Sequence, residues 1–187
     1  MSRQAPAAKP ARAAARRARP ATGIVSSSHL VSPRSAELSE FEFGLIVAWN
    51  AFSRWAVRCM AAAAAPGAGD LTITDVLLLH HVNHRARNKK LADICFVLNY
   101  EDTHVVAYSL KKLVAAGLVA TEKVGKEVLY SPTAAGEAAV MAYRQVRERC
   151  LVESLDTELN APIGELARLL RTMSGMYDQA ARAASSL

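Results

Sequence analysis

At 187 residues the chain is long enough for one domain, or for one domain with a tail. Half of it (51%) is hydrophobic and only 6% is aromatic, yet no apolar run approaches the ~18 residues that a membrane span needs. Lys and Arg number 23 against 17 Asp and Glu, a net charge of +6, and three widely separated cysteines (Cys59, Cys95 and Cys150) exclude a disulfide framework and a CxxC metal knuckle and fit a reducing compartment.

The charge is concentrated at the start. Residues 1–35 hold Arg3, Lys9, Arg12, Arg16, Arg17, Arg19 and Arg34 and no acid, whereas the rest carries 16 basic and 17 acidic groups. The tail is Ala, Pro, Arg and Ser with few large apolar side chains, so it reads as disordered: it cannot bury enough surface to offset its chain entropy. Three readings stay open for it: a basic arm along phosphates, a transit peptide, or low-complexity sequence without a specific task.

The body, 36–187, reads as mainly α with a small β-hairpin. Phe41, Leu45, Trp49, Phe52, Ala56 and Met60 recur at steps of three and four, and Phe43, Ile46, Val47 and Trp55 add apolar groups on other faces. A helix wet on one side has no need of them, so the first helix, about 38–64, is expected to be covered on two sides. Pro66-Gly67-Ala68-Gly69 is its stop. Thr74 is the expected cap of a second helix running through His80 and His81. Asn88 is the expected cap of a third, from Lys89 to about Leu98, with Leu91, Ile94 and Leu98 inward. Asn99 is the expected cap of a fourth, with Asp102 completing a capping box. Gly117 closes that helix as its C′ residue. Leu118–Glu122 and Glu127–Ser131 then read as strands joined by Lys123-Val124-Gly125-Lys126.

A fifth helix is expected from about Thr133 to Leu155, carrying Tyr143, Val146, Cys150, Leu151 and Leu155. Pro162 marks the start of a sixth. Along it Ile163, Leu166, Leu170, Met173, Tyr177, Ala180 and Ala184 step 3, 4, 3, 4, 3, 4, a heptad seam. The seam serves either one intramolecular helix pair or a subunit interface. We take the second, with Phe41, Leu45, Ile163, Leu166, Leu170, Met173 and Tyr177 in a homodimer contact and dimerisation helices over about 38–64 and 133–184.

Helix, helix, tight turn, helix, hairpin is the order of a winged helix-turn-helix, here over about 70–132. Its fourth helix, about 100–116, is the informative one. Thr103, Val106, Leu110 and Leu113 fall on one face; His104, Tyr108, Lys111 and Ala115 fall on the other, with Lys112 beside them. Imidazole, phenol and ammonium groups opposite a buried stripe suit a helix that enters the major groove of duplex DNA. Thr103 joins the candidate contacts at the helix start. Lys89 and Lys90 are placed in a first helical turn, where the helix dipole disfavours a cation by ~0.3–1 kcal/mol unless a phosphate binds there. Arg85 and Arg87 precede them, and Lys123 and Lys126 flank the wing tip. Residues 80–130 hold eight Lys and Arg against five Asp and Glu, a modest excess.

These segments resemble the MarR family of dimeric bacterial transcription regulators. The resemblance runs through Leu71-Thr-Ile-Thr-Asp-Val-Leu-Leu-Leu, Lys90-Leu-Ala-Asp-Ile, Leu110-Lys-Lys-Leu-Val-Ala-Ala-Gly-Leu-Val and Ser131-Pro-Thr-Ala-Ala-Gly-Glu, and covers roughly 38–185. It implies a two-fold dimer built by the terminal helices on a pseudo-palindromic duplex, in a bacterial cytoplasm on the nucleoid. It also implies a small-molecule effector, not identified, for which Trp49, Phe52, Trp55 and Tyr143 are either pocket residues or plain core; no cofactor is implied. One departure stands out. The wings of the family are usually longer and carry Asp-x-Arg, whereas Lys123-Val-Gly-Lys126 holds no arginine.

Other chemistries are weaker. His80, His81 and His84, with Cys95 or a carboxylate, have metal-ligand spacing, but the histidines also continue an apolar run as core or helix-end residues, and no metal is assigned. Cys59 beside Arg58 is either a thiolate sensor or a buried thiol. No phosphate-binding glycine loop and no nucleophile motif is present, so no enzyme is expected. The alternative to a DNA-binding regulator is a winged-helix protein-interaction module, since fold does not fix function.

Overall fold

The computed structural model describes residues 28–63 and 70–187. The chain divides into two compact units between Trp49 and Asn50. The tail up to residue 27 and the Pro66-Gly67-Ala68-Gly69 helix stop lie outside the described residues.

In the first unit a 3-10 turn at Ser28–Leu30 precedes helix α1, Ala36–Ala62, which runs on into the second unit. The Ser35 hydroxyl accepts the Leu38 N–H at 3.3 Å, serving one of the four amides that a helix start leaves without an internal partner. Beyond Ser39, which is buried, this half of α1 presents Phe43, Leu45, Ile46, Val47 and Trp49 at the surface. In the second unit Ala56, Cys59 and Met60 of the same helix are buried.

The second unit continues with α2 (Ile73–Asn83), β1 (Lys89–Lys90), α3 (Leu91–Leu98), α4 (Thr103–Ala115), β2 (Val119–Val124), β3 (Glu127–Pro132), α5 (Ala134–Arg147) and α6 (Asn160–Ala184). Three expected caps are corrected. Thr72, not Thr74, caps α2, and Asp75 closes a capping box with it. Lys90, not Asn88, stands at the start of α3. Asn99 ends α3 in the left-handed region (φ 55°) instead of starting α4, which Asp102 caps. Asn is among the few side chains that tolerate that conformation, so one residue type serves both roles. Gly117 is the C′ residue of α4 as expected: its N–H reaches Val114 O at 2.9 Å and Leu118 N–H reaches Leu113 O at 3.0 Å, a Schellman closure with φ +73° at the glycine.

The hairpin gains a third strand. Antiparallel order is β1-β3-β2, with Lys89 opposite Tyr130, Lys90 opposite Leu129, and Val124 opposite Glu127 at the tip. Gly125, the first of the two loop residues, supplies the positive φ that a tight hairpin requires. At the other end Thr133 caps α5 and its hydroxyl donates to Gly117 O at 2.7 Å. A Cβ on Gly136 would collide with the Leu118 carbonyl, so only glycine lets α5 start this close to the end of α4. The core joins Leu78 and Leu79 of α2, Ile94 of α3, Leu110 and Leu113 of α4, and Leu118, all fully buried, with Ala139, Tyr143 and Val146 of α5.

The fifth helix is shorter than expected. Regular α geometry ends at Arg147 and a π turn spans Glu148–Val152, where Glu153 N–H reaches Glu148 O at 3.0 Å. Pro162 falls in the first turn of α6, where no donor is missed. Over its 25 residues α6 buries none. No helix among the described residues is long and apolar enough to cross a membrane.

Candidate nucleic-acid interface

Helix α4 divides its residues between core and surface. Val106, Leu110 and Leu113 are wholly buried, and Ser109 nearly so. His104, Tyr108, Lys111 and Ala115 form the outer stripe and are exposed, Tyr108 at 74%. The expected phase therefore holds at every turn except the first: Thr103 sits at the surface, and the buried stripe begins at Val106. A first-turn residue has no preceding turn of helix to pack against the core, which leaves Thr103 beside His104 on the accessible end.

Two candidate contacts are held by groups of the protein itself, Lys89 wholly and Lys112 in part. Lys89 is only 5% exposed. Its ammonium donates to the carbonyls of Val82 (2.8 Å), His84 (2.6 Å) and Arg87 (3.2 Å), so it closes the turn after α2 and is not free for a phosphate. Burial, and then the nearby Arg87 charge, push its pKa down. Lys112 is the second. Its ammonium lies 2.8 Å from Asp75 Oδ2 and donates to Asp70 O at 2.6 Å, and its side chain is one-third exposed. The first-turn placement of Lys89 and Lys90 fails for a related reason: both residues are in β1, extended against β3.

The other candidates stay at the surface. Lys90 pairs with Glu127 at 2.7 Å across β1 and β3, an exposed pair of small energetic weight. Lys123 and Lys126 are exposed at and beside the wing tip, and Lys111 is exposed on α4. Arg85, held at φ 62°, and Arg87 flank a cleft of about 610 Å³ whose walls include His81, His84 and Phe96. Phe96 is 86% exposed. It lies on the face of α3 away from the inward Ile94.

Sequence reasoning also missed Asp75 and Ser109. Asp75 is 2% exposed and accepts from Thr72 N (2.8 Å), Thr72 Oγ1 (2.9 Å), Ser109 Oγ and Lys112 Nζ. Burial alone would raise its pKa; the hydrogen bonds from Lys112, Ser109 and Thr72 outweigh that and hold the carboxyl below the usual carboxylate range. The Thr72-x-x-Asp75 spacing was the available signal.

The rival chemistries separate as well. Among the described residues no three His, Cys, Asp or Glu side chains form a metal-binding group. His80 packs its ring edge-on against Tyr143 at 4.4 Å, its Nε2 is buried with no hydrogen-bond partner among the described residues, and burial lowers its pKa. Cys59 is buried, donates to Tyr143 O at 3.5 Å, and is pushed up chiefly by burial, the reverse of what a thiolate sensor needs. Beside these groups a cavity of about 410 Å³ is lined by Phe52, Ala56, Val76, His80, Tyr143 and Arg147, among others. Two of the four expected pocket residues, Phe52 and Tyr143, line it. Trp55 packs against the core, and Trp49 belongs to the first unit.

Residues 71–136 match the family described as the winged helix DNA-binding domain. That stretch carries a winged-helix fold. Its fold is shared with MarR-family transcription regulators. Sco5413 of Streptomyces coelicolor, a MarR family transcriptional regulator, superposes with a TM-score of 0.58 at 17% identity, over 75% of this chain and 97% of that one. A MarR family transcriptional regulator of Rhodococcus sp. RHA1 gives 0.51 at 14% identity, over 70% and 93%. BpsR of Bordetella bronchiseptica, whose DNA binding is regulated by 6-hydroxynicotinic acid, gives 0.50 at 21% identity, over 68% and 90%. No curated protein sequence is a match.

Proposed function

We propose that the protein is a homodimeric transcription regulator that binds specific duplex DNA, with α4 in the major groove. One observation carries the reading: a helix buried on Val106, Leu110 and Leu113 holds His104, Tyr108 and Lys111 outward in a domain matching the winged-helix DNA-binding family. His104 and Tyr108 are the base-reading candidates because they lie toward the N-terminal end of α4. Lys111, Lys123 and Lys126, with Arg85, Arg87 and Lys90, are the phosphate candidates. A second copy of the chain is the partner favoured for α6, whose seam of Ile163, Leu166 and Leu170 is exposed in a single chain.

The test is binding of the full chain to a random 30-base-pair duplex across a salt series. A DNA-binding regulator loses affinity steeply with salt, by a slope set by the phosphates it neutralises. No binding at low salt overturns the reading and favours a protein-docking module. With a duplex selected from a random pool, His104→Ala or Tyr108→Ala should narrow the gap between selected and random DNA by ~1–3 kcal/mol. Lys126→Ala should weaken both about equally and reduce the salt slope by about one.

The cavity beside His80 and Tyr143 is the seat we favour for an effector. Its orphan imidazole nitrogen, aromatic walls and the Arg144 and Arg147 side chains suit a small aromatic acid. Its occupant would be found by thermal-shift screening of aromatic acids against the wild type and His80→Leu. Stabilisation of both alike would exclude this cavity.

A further inference from the structure

The buried stripe of α4 is apolar, and apolar contact is non-directional. Val106, Leu110 and Leu113 fix which side of the helix faces the core, but small rolls about the helix axis cost them little. A reading helix needs more, because its side chains must meet base edges to within a fraction of an ångström. The apolar packing of α4 on α2 stops short of the start of α2, and the flank there is open. A cleft of about 440 Å³ runs there, lined by Thr72, Thr74, Asp75, His104, Tyr108 and Lys112 among others. What bridges α2 and α4 on this side is polar: the Asp75 carboxylate takes hydrogen bonds from Ser109 and Lys112 of α4, and Lys112 also reaches Asp70 O.

We propose that Asp75 is the positioning residue of the recognition helix: by holding Ser109 and Lys112 it fixes the roll at which α4 offers His104 and Tyr108. The proposal rests on the DNA-binding reading above. His104, Tyr108 and Lys112 are spaced four residues apart and share one side of α4. The tie therefore grips the same stripe that reads DNA, and it lies about 12 Å along the axis from His104 at 1.5 Å per residue. A small rotation at Lys112 is carried undiminished to His104 because the helix between them is rigid. The carboxylate keeps a full set of partners: Thr72, its own cap, supplies two, and α4 supplies two. A buried ion pair is seldom the most stabilising way to fill such a site; directional placement is what it adds over an apolar pair. Lys112 then belongs to the protein and not to a phosphate, although in sequence it is one more lysine of the interface.

The experiment compares wild type, Asp75→Asn, Ser109→Ala, Lys112→Met and Lys112→Arg in the full chain. Each is titrated with a random 30-base-pair duplex and with a duplex selected by the wild type, across a salt series. For Lys112→Met and Asp75→Asn we expect discrimination to fall roughly tenfold or more with the salt slope unchanged. Lys112→Arg should recover most of it, since the guanidinium also reaches a carboxylate. A slope smaller by about one in Lys112→Met, with discrimination kept, would show a phosphate contact and overturn the proposal. Ser109→Ala, the mildest change, covers the case in which Asp75→Asn does not fold. Amide exchange on the free proteins separates the two ideas: faster exchange over 103–115 in Ser109→Ala and Lys112→Met, with 119–132 unchanged, supports the tie even if no DNA is bound. Unchanged exchange over 103–115 sinks it, whatever the DNA titrations give.

Discussion

The winged-helix lobe and helix α6 are both built on apolar side chains at helical spacing, and they end in opposite states. In the lobe, α2, α3 and α4 place Leu78, Leu79, Ile94, Leu110 and Leu113 in one core with no exposed area. In α6, Ile163, Leu166, Leu169 and Leu170 are each between 37% and 49% exposed. The difference is not in the sequence period, which is as regular in α6 as in α4. It lies in what the rest of the chain offers as a counter-surface. Within the second unit the lobe helices cover one another's stripes, whereas the α6 stripe stays partly exposed; that exposure is the ground for the partner proposed above.

The strongest way to break this contrast is to place a charge in the open seam. Leu170→Glu should convert a wild-type dimer to monomer or aggregate in sedimentation velocity, at a cost of about 4 kcal/mol for an unpaired charge in a closed apolar contact. A wild type that sediments as a stable folded monomer at micromolar concentration would end the comparison. Next in size is the lobe itself. Leu110→Ala should lower urea-unfolding stability by about 3 kcal/mol through lost transfer energy and a cavity, whereas Gln179→Ala, on an exposed stretch of α6, should stay within about 0.5 kcal/mol.

A smaller effect is expected at the turn after α2. Lys89→Met should cost about 2 kcal/mol, because the carbonyls of Val82, His84 and Arg87 lose their charged donor. It should leave the salt slope of DNA binding untouched; a slope reduced by one would mean that Lys89 reaches a phosphate after all. The smallest effect is a pH dependence. Burial depresses the folded-state pKa of His80, so the unfolded chain binds more protons than the folded one across the ordinary histidine range. This contribution to stability is present above that range and is lost as pH falls through it toward the depressed value. Thermal midpoints between neutral and mildly acidic pH should fall for the wild type and fall less for His80→Phe. Equal slopes would remove His80 from the account, leaving His81, whose pKa burial also lowers.

Much of the lobe was legible because its signals are local. Gly117 and Gly125 occupy positive φ, Thr133 caps the helix it precedes, and Gly136 stands where a Cβ has no room. The amphipathic phase of α4 needed only its own residues, from Val106 onward. The errors are of two kinds. Thr72 and Thr74 are equally good caps by type, and the signal that separates them, Asp75 three residues on, is itself local. Lys89 and Lys90 fit a first helical turn until β3 is present to pair with them as a strand.

The sequence by itself determined the periods, the turn residues and the order of elements, since each depends on neighbours within a few positions and on backbone sterics. Only the tertiary structure decided which charges are free. Lys111 and Lys112 are adjacent and chemically identical, yet one is exposed on α4 and the other is paired with a carboxylate 37 residues away in sequence. A lysine side chain is long enough to reach solvent or a buried acceptor from the flank of the same helix. The choice belongs to whichever partner the fold brings within about 3 Å, and no property of the lysine or its neighbours encodes it.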